Sequence, residues 1–97
     1  MYKATPEQID AWKNKHDAVF KITEPERKLC AFCRNPTRQE MSYAHQIKDP
    51  VKFNEHLLAT CWLDGDMEIQ TSDSVFMGLG PQIAQLMHAE EVKLEKL

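Results

Sequence analysis

The chain of 97 residues predicts an α+β fold: an N-terminal helix, one β-hairpin, then a cluster of three to four helices. Three observations lead there. Helix starts of the capping-box kind stand at Thr5 to Gln8 and at Thr37 to Glu40. Two runs rich in β-branched and aromatic residues, 18–24 and 28–34, flank a turn at Pro25-Glu26-Arg27. Beyond Asp49, apolar residues return at helical spacing instead of alternating.

The first helix opens at Thr5-Pro6-Glu7-Gln8, where threonine caps, proline suits the first helical position and glutamine closes the box. Ile9, Trp12 and His16 fall on one face, and the helix is expected to end near His16. The hairpin follows, and a hairpin needs a helix over one face to be stable. Asn35-Pro36 stops its second strand. Thr37 starts the next helix, with Met41 and Ala44 on one stripe and Tyr43 and Ile47 on another. Asp49-Pro50 ends that helix and begins a third, whose Phe53, Leu57, Leu58, Cys61 and Trp62 form the widest apolar face of the chain. Leu63 to Asp66 reads as a loop. Ser72 or Asp73 caps a short helix bearing Val75, Phe76 and Leu79. Pro81 begins a last helix expected to carry Ile83, Leu86, Met87, Leu94 and Leu97 on one face. The core prediction is that Phe53, Leu57, Leu58 and Trp62 pack against Ile83, Leu86 and Met87, with the hairpin on another side.

Bulk properties fit one domain over 1–97, with 1–4 and 90–97 expected to fray. The hydrophobic fraction is 42% and the charged fraction 28%, ordinary for a globular chain. No apolar run approaches bilayer-spanning length, and M-Y-K-A-T-P-E-Q has no apolar core of a secretory signal. Three cysteines, an odd number, fit reduced thiols and a cytoplasmic setting. Net charge is −3 but uneven: 1–52 carries ten Lys/Arg against seven Asp/Glu, and 53–97 carries two against eight. Such polarity favours an oriented partner or head-to-tail contacts in a homo-oligomer, although a solvated surface also accounts for it.

Four constellations bear on chemistry. Cys30-Ala31-Phe32-Cys33 is a C-x-x-C that, with His45, His56 or Cys61, has the donor types for zinc. Strand geometry argues against it, because positions three apart point to opposite faces. Asp64-Gly65-Asp66-Met67-Glu68 has the acidic spacing of a calcium loop but puts Ile69 and Val75 where an EF-hand needs glycine and glutamate. Gly78-Leu79-Gly80 follows a helix, not a strand, and reads as helix punctuation instead of a dinucleotide loop. Lys21, Arg27, Lys28, Arg34 and Arg38 surround the hairpin near Phe20 and Phe32, a combination that binds single-stranded nucleic acid when the aromatics are free. No catalytic residue, cofactor site or metal ligand is assigned, and the chain is expected to be no enzyme.

The order of signals resembles the small bacteriophage and prophage tail assembly chaperones. The resemblance rests on Arg34-Asn35-Pro36-Thr37 after the hairpin, Ser42-Tyr43-Ala44 in the next helix, Asp49-Pro50, Phe53, and Cys61-Trp62-Leu63 leading into Gly65-Asp66. A final segment with Phe76 and an apolar helix completes it, so that it covers about residues 17 to 88. The second cysteine of the C-x-x-C lies outside the resemblance and leaves the zinc reading open. The resemblance implies a non-enzymatic protein that holds the tape-measure protein and helps recruit tail-tube subunits. Phe76, Leu79, Ile83, Glu90, Glu91 and Glu95 are then the expected partner-binding residues, because short helices expose what a small core cannot bury. The alternative is a small regulatory module binding nucleic acid or zinc.

Overall fold

A computed structural model describes all residues, 1–97. Its helices are α1 (Pro6–Lys15), α2 (Arg38–Ala44), α3 (Pro50–Cys61), α4 (Glu68–Thr71), α5 (Asp73–Met77) and α6 (Gly80–Leu86). Its strands are β1 (Val19–Glu24), β2 (Leu29–Arg34) and β3 (Trp62–Gly65), antiparallel neighbours in the order β1-β2-β3. The α+β class and its element order up to Cys61 match the sequence prediction.

The local chemistry of the first three helix starts is that of the sequence. Thr5 and Thr37 each close a capping box, with Gln8 and Glu40 reaching back. Asp49 caps α3 by accepting from the backbone N–H groups of Val51 and Lys52, and Pro50 takes the first helical position. Ser72 caps α5.

β2 is the central strand, and its four inner residues, Cys30 to Cys33, are all buried. Alternation divides them. Ala31 and Cys33 join the main core with Ile22, Ala44, Leu57, Leu58, Cys61, Ile69, Leu79, Ile83 and Leu86. Cys30 and Phe32 face the other way, where Trp12 of α1 lies 5.4 Å and Tyr2 lies 6.2 Å from the Phe32 ring centre. The molecule is therefore α1 on one side of the sheet and the other helices on the opposite side, and both sheet faces are covered.

Three expectations need correction. Residues 63–65 of the predicted loop at 63–66 belong to β3, which pairs Ala31 with Gly65 and Phe32 with Asp64. A bulge leaves Leu63 without a partner. Gly65 permits this pairing: a Cβ there would sit 2.5 Å from the Ala31 Cα, so any side chain would push the strands apart. Second, Glu68–Thr71 forms an extra short helix that buries Ile69. Third, α6 stops at Leu86, and Leu94 and Leu97 lie fully exposed beyond it instead of continuing its apolar face. Gly80-Pro81 starts that helix as predicted, but Glu90 interrupts the apolar stripe.

The core pairing of α3 with α6 holds through Leu57, Leu58, Ile83 and Leu86, with Phe53, Trp62 and Met87 packed at its margin. Burying each of these leucines or isoleucines contributes about 1.5–3 kcal/mol.

Candidate functional site

Side chains of possible functional use gather in two places. The first is where β2 ends. Arg34 leaves the sheet and meets Glu40 in a fork, Nη1 to Oε1 at 2.7 Å and Nη2 to Oε2 at 2.8 Å. Its Nη2 also donates to the Thr60 carbonyl at 2.9 Å, one of the last carbonyls of α3, which lack a partner within the helix. Glu40 Oε1 accepts in turn from the Thr37 backbone N–H at 2.8 Å. The Arg34 fork, helped by that backbone N–H, lowers the Glu40 pKa to about 2. Beside this node is an open cleft of about 420 Å³ lined by polar side chains, among them Lys15, His16 and Arg38. Burial, then the Arg34 and Lys15 charges, lowers the pKa of His16. Arg34 spends its donors on Glu40, Thr60 and Asn35, so it ties three elements together and has little left for a ligand.

The second place is the surface C-terminal to β3. Phe76 is half-buried and lines a groove of about 270 Å³ between α3 and α5, with Leu58, Ala59 and Glu55. Met77 is 66% exposed, Val92 is 86% exposed, and Leu94 and Leu97 are wholly exposed. Glu90, Glu91 and Glu95 are exposed among them, with His88 Nε2 3.7 Å from Glu90. Of the expected partner-binding residues, Phe76, Glu90, Glu91 and Glu95 thus reach the surface. Leu79 and Ile83 do not: both are buried in the core and serve packing. Sequence reasoning erred there because their spacing fits a core face and a binding face equally.

The other constellations have structural explanations. The Cys33 thiol is pushed up to about 12 by burial, and that of Cys61 to about 11, also by burial. Burial raises Cys30 as well. Such thiols are poor nucleophiles. Cys30 and Cys33 stand on opposite faces of β2, and His45 and His56 lie beside Phe53 and Tyr43 on α2 and α3, so the zinc donors are not brought together. The Asp66 carboxylate accepts from the backbone N–H of Tyr2 and of Cys30, both at 2.9 Å, and pins the N-terminal stretch to β2. Those two bonds lower its pKa. Arg27 hydrogen-bonds Ser72 and Ser74 and joins the hairpin turn to α5. Phe32 is stacked in the α1 layer and Phe20 lies against the core, so neither offers a free ring to a base.

No family model, characterised protein or solved structure matches this chain. No helix is long and apolar enough to cross a membrane.

Proposed function

We propose that this chain is a non-enzymatic binding protein of the phage tail assembly chaperone kind, acting in the bacterial host cytoplasm on the tape-measure protein and tail-tube subunits. The observation that carries this reading is the exposure of Met77 on α5 and of Val92, Leu94 and Leu97 after α6, the last three interleaved with Glu90, Glu91 and Glu95. Singly exposed apolar residues are ordinary; three large ones within eight residues that also carry three glutamates suit a partner with apolar stripes and basic flanks. A tape measure is a long helical chain with such stripes uncovered before assembly. The Phe76 groove, walled by Leu58 and Ala59 together with Glu55, Gln70 and Asp73, offers a further slot.

Co-expression with the tape-measure protein of the same gene cluster tests the proposal. The partner's soluble fraction should rise, and the two should be recovered together. Charge reversal at Glu90, Glu91 and Glu95 should weaken recovery more at low salt than at high salt. Indifference to every tail component, with nuclease-sensitive retention of single-stranded nucleic acid, would replace this reading with the nucleic-acid one.

A further inference from the structure

The outer edge of β1 is open. Asn35 donates its backbone N–H to the Ala18 carbonyl, and Asp66 N–H donates to the Cys30 carbonyl toward β3. Both bonds fix the phase of the β1–β2 ladder, in which Phe20, Ile22 and Glu24 bond to β2 while the N–H and C=O groups of Val19, Lys21 and Thr23 point outward. No strand lies beyond them. On the core side of this edge a trough of about 470 Å³ runs between β1 and the α5–α6 corner, with Ile22, Val75 and Leu79 in its wall.

The same molecule carries a segment with the matching pattern. Glu91-Val92-Lys93-Leu94-Glu95 alternates, so in extended form Val92 and Leu94 share one face and the charged residues the other. Laid along β1, the first face enters the trough and the second meets Lys21, which points to the opposite side of the sheet from Ile22. Two β1 edges cannot pair equally well with each other, because an antiparallel pairing centred on the outward groups sets Lys21 against its own copy. The Glu91–Glu95 segment meets the same conflict at Lys93 in the centred register, and avoids it in the registers shifted by two residues, which set Glu91 or Glu95 opposite Lys21.

We propose that the β1 edge takes the Glu91–Glu95 segment of a second copy of this chain as a fourth strand, and that reciprocal exchange closes a two-fold dimer. The second copy is favoured over the chain's own segment because that segment stands away from its own body, with Leu94 fully exposed and the molecule drawn out to 54 Å along its long axis. Reciprocity uses the β1 edge of both copies. The exchange covers Val92 and Leu94, which the proposed tail partner would also take, so dimer and partner compete for this segment, and the dimer itself rests on no tail component.

Sedimentation of the purified full chain over a wide concentration range tests it. A reversible monomer–dimer equilibrium is expected. Leu94→Glu, at a site without contacts in the single chain, should weaken it at least about tenfold. Thr23→Pro should do the same by removing an outward N–H that the fold does not use. Lys21→Glu should weaken it, and Lys21→Glu with Glu91→Lys and Glu95→Lys together should restore it. Either of two results would overturn the proposal. One is a monomer at every concentration, whether Val92–Glu95 amides exchange freely or are protected within one chain. The other is a dimer indifferent to Leu94→Glu.

Discussion

Arg34 and Glu40 form a two-pronged ion pair at 2.7 and 2.8 Å between the last residue of β2 and the first turn of α2. Both side chains are largely covered, and the guanidinium extends to α3 through Thr60. Sheet and helices are thus aligned at one point by a planar donor whose geometry lysine cannot copy. Arg34→Lys should therefore lower the unfolding midpoint even though charge is kept, because the fork and the Thr60 bond cannot both survive. A denaturant titration reads the loss, and a midpoint equal to that of the parent protein would contradict the role given to Arg34.

The same pair sets an acid limit. The folded-state pKa of Glu40 lies near 2, below its usual value of about 4.5. A depressed carboxylate contributes stability above its unfolded pKa and loses it as pH falls through the folded one. The contribution is fully present at neutral pH and should vanish between about pH 5 and pH 2, with a ceiling of about 3 kcal/mol at ~1.4 kcal/mol per pH unit. Solvent at the partly open pair brings it below that ceiling. Glu40→Gln should flatten this acid limb in a pH series of unfolding free energies; an unchanged slope would refute the assignment.

The thiols predict the opposite limb. Burial holds Cys33 near 12 and Cys61 near 11, above the value of an unfolded cysteine. Groups raised in this way stabilise the fold below the unfolded pKa, and the stability fades as pH rises past about 9. Native protein at pH 8 should resist alkylation at all three cysteines and react only as fast as it opens. Mass spectrometry after a timed iodoacetamide exposure distinguishes this from rapid labelling of any one thiol.

How much of this was legible in the sequence follows from where the signals lie. Thr5, Thr37 and Asp49 announce helices because capping is local chemistry, and the hairpin runs announce strands because their residues suit a pleated surface. β3 was hidden because Asp64-Gly65-Asp66 has turn composition. What makes it a strand is Gly65 lying against Ala31, a contact between residues 34 apart. The burial of Leu79 and Ile83 was hidden for a similar reason: periodicity gives a face but not what lies opposite it. The β1 edge became visible only when the sheet order placed β2 in the centre.

The core makes a quantitative prediction. Leu57 is wholly buried in α3 amid the cluster shared with α6. Leu57→Ala should cost about 2–5 kcal/mol, the transfer of the lost methyl groups plus the cavity they leave. A loss under ~1 kcal/mol would place Leu57 outside a packed core.

Two glycines should respond in opposite ways. At Gly65 a new Cβ would meet the Ala31 Cα at 2.5 Å, the Ala31 Cβ at 2.6 Å and the Cys30 carbonyl at 2.7 Å. All three belong to the central strand and cannot swing aside as a flexible side-chain end would. Gly65→Ala should therefore pry β3 from β2 and cost about 1–3 kcal/mol or more. At Gly78, the C-cap of α5 with φ −78°, an added Cβ meets only the Val75 and Ser74 carbonyls, at 3.5 and 3.7 Å, which are ordinary contact distances. There the methyl group restricts the unfolded chain without straining the folded one, so Gly78→Ala should gain about 0.4–1 kcal/mol. Unfolding midpoints of the two variants should fall on either side of the parent. Equal midpoints would show that β3 does not approach β2 as closely as the pairing of Ala31 with Gly65 requires.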